Sequence, residues 1–227
     1  MDVKEVLRTL QPGQRYELLT VWKEIPIRTK LLLKWVSPND MLVGFDYREC
    51  VFKNVIQKGH VYLKVGDMYL ETVIFSNIRD ELVLEVLNLT SPPPVVMREF
   101  VRVEPSEEEP VYVDLCLEDR CIVNTKAVDI SESGVGIHVS PDYSEELMKM
   151  LNFPTEDLLH KAFDVHIKLP SGHVLEAKGE LRNIIKDVEG AYIRLGFLIK
   201  LSPKDEKLLR SYILKRQKEI IDKLKSL

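Results

Sequence analysis

The chain has 227 residues, 45% of them hydrophobic and 30% charged, the proportions of an ordinary soluble globular protein. Its formal net charge of −4 excludes a global basic field for duplex DNA or an anionic membrane, so any bound anion has to be held locally. No apolar stretch approaches the ~20 residues that a bilayer span needs. The N-terminal "MDVKEVLRTLQPG" also lacks the apolar core of a signal segment, so a cytoplasmic location is expected.

Val3, Val6, Leu7 and Leu10 recur at helical spacing, and Pro12-Gly13 ends that short helix. Strand-like runs follow: "YELLTVW", "RTKLLLKWV", "MLVGFDY", "HVYLKV", "MYLETVIF" and "ELVLEVL". The Gly66-Asp67 pair between two of them predicts a hairpin turn. About six strands predict a small antiparallel barrel or sandwich over residues 1–93, of split-barrel type. Ser91-Pro92-Pro93-Pro94 then breaks the pattern, because proline cannot continue a ladder, and the domain boundary is expected there.

The second half repeats the theme over residues 94–202. In "VYVDLCL", Val111, Val113, Leu115 and Leu117 alternate with Tyr112, Asp114 and Cys116. "CIVNTKAVDIS", "VGIHVS", "FDVHIKL", "HVLEAKGELRNII" and "YIRLGFLIKL" follow. A helical turn or two capped by Ser144 is expected among them. Closing six strands on themselves hides their edges, so a second barrel is the natural architecture and the fold class is mainly β. From 203 to 227 the period changes to helical: Ser202 caps, Pro203 takes the first helical position, and an apolar stripe runs from Leu208 to Leu224. That stripe suits packing on the barrel, or a homodimer or partner contact. Cys50, Cys116 and Cys121 complete no zinc set, and buried reduced thiols are expected.

Catalysis has little support. His60, His138, His160, His166 and His173 show no metal-ligand spacing, and no serine or cysteine sits in a nucleophile motif. No metal, no cofactor and no enzymatic activity are expected. Two features point instead to binding. Arg98 and Arg102 stand four apart in "REFVR" at the junction between the two domains, and each guanidinium offers a planar fork that suits phosphate. In an extended chain Arg98, Phe100 and Arg102 would share one face, with Val101 and Val103 on the other. The second feature is "DISESG". Asp129 can accept from a donor edge, Ser131 can donate or accept, and Gly134 allows a tight turn or close approach. A guanine's neighbouring N1–H and N2–H₂ match one carboxylate. Taken singly, each feature fits an ordinary surface or turn.

In this order, RxxxR leading into a barrel and DxSxxG between two strands resemble the PilZ domain, a family of bacterial receptors for the second messenger cyclic di-GMP. "YIRLGFLIKLSPKDEKLLRSYI" is similar to the family's last strand and C-terminal helix, so the general resemblance covers roughly residues 96–225. A β-rich domain directly before RxxxR resembles the flagellar-brake branch. The resemblance implies Arg98 and Arg102 on the ligand's phosphates and guanine faces, Asp129 and Ser131 on a guanine edge, and Gly134 at the close turn. Met97 and Ser133 are further candidate contacts. Each charge-assisted contact is worth about 1.5–3 kcal/mol, so losing either arginine should weaken binding by about tenfold to a hundredfold or more. Many family members carry another arginine just before RxxxR; here Met97 takes that position, which implies one ligand per subunit. A ligand held at the junction would order it and set the angle between the domains. The branch implies a protein partner, with the flagellar motor or its basal body foremost. A nucleic-acid barrel of the OB type and a PilZ-like interaction module without ligand are the alternatives; aromatics at 7% speak against the former.

Overall fold

The computed structural model describes residues 2–48, 53–56, 60–117, 120–139, 159–186 and 193–226. Cys50 and the helical turn expected at Ser144 lie outside the described residues. The protein divides into two compact units, residues 1–99 with 220–227, and residues 100–219.

The first unit opens with helix α1 (Val3–Thr9), started by a reciprocal cap in which Asp2 and Glu5 satisfy each other's backbone N–H. Six strands follow: β1 (Arg15–Trp22), β2 (Ile25–Ser37), β3 (Leu42–Asp46), β4 (Val61–Val65), β5 (Met68–Ile78) and β6 (Glu81–Thr90), with the short helix α2 (Lys53–Ile56) before β4. They close into an antiparallel barrel in the order β1-β2-β3-β6-β5-β4. The one-in-two alternation of apolar residues supplies its interior: Leu18, Leu31, Leu33, Phe45, Leu63, Leu70 and Leu84 are buried together with Val6 and Leu7 of α1. Each such side chain removed from water stabilises the fold by about 1.5–3 kcal/mol. Two hairpins turn through pairs of non-glycine residues in the left-handed region, Lys23-Glu24 (φ 50° and 68°) and Arg79-Asp80 (φ 51° and 64°). This is the geometry that tight two-residue hairpins require.

The second unit holds β7 (Tyr112–Leu117), β8 (Arg120–Ser131), β9 (Gly134–Val139), β10 (Ala162–Lys168), β11 (Val174–Lys186) and β12 (Ile193–Leu201). They form a second closed antiparallel barrel, ordered β10-β11-β12-β9-β8-β7. Its interior buries Val113, Leu115, Ile137, Val165, Leu181 and Phe197, with Phe163 and Phe197 in edge-to-face contact at 5.4 Å between centroids. Helix α4 (Pro203–Lys225) follows at once. The Asp205 N–H donates to the Ser202 hydroxyl at 3.2 Å, the expected cap. Leu209, Ile213, Ile220 and Leu224 of its stripe are buried within this single chain, while Leu214 and Ile221 stay exposed.

Cys116 and Cys121 differ from the expected reduced thiols. Cys116 and Cys121 lie directly opposite each other on β7 and β8 and are joined as a disulfide. Cys121 is exposed and Cys116 half-buried. A one-dimensional reading places both in strands; only the register sets them face to face.

Candidate functional site

The RxxxR segment is built by both units. After β6 the chain bends at Ser91 and Pro92, Pro93 is extended (φ −60°, ψ 150°), and Pro94 opens the single helical turn α3 (Pro94–Met97), where its missing N–H costs nothing. Met97 ends that turn with its side chain exposed. Arg98 follows and donates from Nη1 to Glu24 Oε2 at 2.9 Å. Glu24 is the second residue of the β1–β2 hairpin turn, so both partners belong to the first unit.

Phe100 begins the second unit. Bends at Glu99 and Phe100 break the extended alternation, and Val101 is exposed rather than inward. Val103 then forms a bridge with Ile130 on β8: the Val103 N–H donates to the Ile130 carbonyl at 2.9 Å, and the Ile130 N–H donates back at 3.0 Å. Val103 is fully buried. One buried valine and two backbone bonds therefore tie the segment after the arginines to the barrel.

That bridge sets Arg102 beside the end of β8, where its Nη1 donates to Asp129 Oδ1 at 3.3 Å. The Asp129 side chain is only 3% exposed. Its other oxygen, Oδ2, accepts from Nη2 of Arg194 on β12. A buried carboxylate needs such partners, since an unpaired charge in a low-dielectric site is costly. The strand order explains how residues 65 apart in sequence meet. Asp129 pairs across β8–β9 with Gly136, Gly136 pairs across β9–β12 with Gly196, and Arg194 is two residues from Gly196 on the same strand.

Gly136 leaves the room: a Cβ built there would collide with the Asp129 carboxylate. Ser131 is buried and its hydroxyl donates to the Gly134 carbonyl at 3.3 Å across the turn. Gly134 does not adopt a left-handed φ. Its need for glycine is one of space, since a Cβ would stand 3.0 Å from the Phe197 carbonyl oxygen. Ser133 is half-buried and offers its carbonyl to the Ile199 N–H at 2.9 Å. Glu132 in the same turn is gripped by Arg210 of α4 at 2.6 Å. Structure thus brings together Arg102, Asp129, Ser131, Gly134 and Ser133 in the second unit, while Arg98 and Met97 belong to the first.

The second unit also has a cavity of about 550 Å³ lined by Glu104, Pro105, Thr125, Lys126, Val128 and His138, among others, within the size range of ligand pockets; none of the cluster residues lines it. Among the described residues, the buried Thr125 hydroxyl has no hydrogen-bond partner. Sequence reasoning missed Arg194 and Gly136. The available signal was the recurrence of glycine in "GVG" and "RLG", where a side chain is absent on paired strands.

Fold and site together define a two-barrel protein with an arginine-braced acidic turn on its second barrel. The chain belongs to the PilZ-domain family: the model of that domain matches residues 97–215, more than half of the chain. An uncharacterised protein of Aquifex aeolicus is 38% identical over 220 residues, covering 95% of this chain and 93% of that protein. A second from the same organism is 34% identical over 209 residues, covering 90% and 96%. Among solved structures, the K. pneumonia MrkH–c-di-GMP complex aligns with a TM-score of 0.50 at 12% identity, covering 97% of this chain and 93% of that one. At that identity the likeness is one of fold.

Proposed function

We propose that this protein is a receptor for cyclic di-GMP, acting through a protein partner rather than as an enzyme. The observation that carries the reading is the buried Asp129 carboxylate paired with Arg102 beside Ser131 and Gly134, residues of the RxxxR and DxSxxG patterns by which the sequence resembles the family. A guanine presents two adjacent donors to Asp129, Ser131 adds a hydroxyl at the same turn, and Arg102 and Arg98 take the phosphates.

In this reading the ligand competes with two resident carboxylates. Arg102 exchanges Asp129 for a phosphate, and Arg98 exchanges Glu24 for another. Because the two arginines are only four residues apart, gripping both fixes the backbone between them and so changes the inter-domain arrangement. The signal then passes to a partner, with control of flagellar motility as the process. Titration calorimetry with cyclic di-GMP on the whole chain tests the binding: micromolar or tighter affinity lost in Arg102→Ala supports it, and heat-silent mixing at saturating nucleotide sinks it. Small-angle scattering with and without nucleotide tests the rearrangement separately. Tight binding of oligonucleotides with a steep salt slope would instead favour a nucleic-acid barrel.

A further inference from the structure

Asp129 is held from two sides by guanidiniums of unrelated origin. Arg102 arrives on the segment before the barrel and meets Oδ1; Arg194 stands on β12 and meets Oδ2. Both arginine side chains are about one-third exposed, at 35% and 31%, whereas the carboxylate between them is 3% exposed. One buried anion therefore has two cations, one on each oxygen.

We infer that Arg194 is a positioning residue of the nucleotide site, the standing counter-ion of Asp129 that lets Arg102 leave. The inference rests on the proposed function. If Arg102 turns to a phosphate, a carboxylate with no second cation would be buried and unpaired, and that cost would oppose binding. Arg194 removes it. With Oδ2 held by Arg194, Oδ1 is released in a defined orientation toward the guanine donors. The planar guanidinium also fixes the rotation of the carboxyl group more firmly than a point charge could.

With Met97 in place of an arginine before the motif, the third guanidinium comes from β12 and serves the acid instead of the ligand.

The test is a double-mutant cycle on cyclic di-GMP affinity in the full chain, using Arg194→Met, Asp129→Asn and the pair, with Arg194→Lys as the conservative variant. Arg194→Met is expected to bind at least tenfold more weakly, Arg194→Lys to recover part of that loss, and the double variant to bind no worse than Asp129→Asn alone. Thermal melts of each variant establish folding, and Arg194→Lys carries the test if the methionine variant is unstable. Arg194→Met affinity equal to wild type overturns the inference alone, as do losses that simply multiply in the double variant. Absence of binding by the wild-type chain overturns the proposed function and this inference with it.

Discussion

The Asp129 carboxylate lies over Gly136, occupying the space that a Cβ on that residue would take. The two are directly paired across β8 and β9, so the acid reaches Arg194 on β12 only because its neighbour has no side chain. Gly136→Ala should lift Asp129 off the strand and separate it from Arg194. Cyclic di-GMP affinity is expected to fall at least tenfold, with a stability loss of about 1–3 kcal/mol from overpacking. Calorimetry and denaturant melts check both; unchanged affinity would mean that Asp129 acts from another position.

Glu24 forms an ion pair with Arg98 at 2.9 Å. A partly exposed ion pair is worth up to about 1 kcal/mol, so Glu24→Gln should tighten cyclic di-GMP binding by about two- to fivefold. The same variant should leave the melting temperature nearly unmoved. Weaker binding would show that Glu24 assists the ligand instead of competing with it.

Tyr212 on α4 has a buried hydroxyl with no partner among the described residues, and burial pushes its phenol from 10.0 up to about 12. Between those values the unfolded chain has released the proton while the folded chain retains it, so stability falls as pH rises through that window. Tyr212→Phe should abolish this part of the alkaline decline. At neutral pH it should be neutral or stabilising by about 1 kcal/mol at most, since an unsatisfied polar group is removed. Urea melts at pH 7 and across the alkaline range, compared between the two proteins, measure it.

The Cys116–Cys121 disulfide closes a short loop, with a sequence separation of 5. Loop-entropy arguments give it about 2 kcal/mol. Cys116→Ser with Cys121→Ser should lower unfolding free energy by about that amount and leave nucleotide affinity intact, because Cys121 sits near the start of β8, at the other end from Asp129, and Cys116 lies opposite it on β7. A melt under reducing conditions should reproduce the loss.

Most of the architecture could be read before any coordinates. Strands such as β7 (Tyr112–Leu117) and β10 (Ala162–Lys168) announce themselves because every second residue must enter a core, and Ser202-Pro203 marks the start of α4 because few other pairs suit a helix entry. The Lys23-Glu24 and Arg79-Asp80 turns carry no such signal: neither contains glycine or asparagine, and the pull of the flanking ladders holds them in the left-handed region. The proposed site was legible only as two local motifs. Their meeting depends on the Val103–Ile130 bridge, and Arg194 joins them from 65 residues away.

By itself, then, the order of residues determined two mainly β halves, a terminal helix and the membership of Arg98, Arg102, Asp129, Ser131 and Gly134 in recognisable patterns, because periodicity and turn chemistry act over a few neighbours. Tertiary structure alone decided the strand register. Register chose which cysteines bond, which glycine makes room and which arginine faces Asp129, since side chains on different strands meet only once closure of the barrel has set them opposite one another.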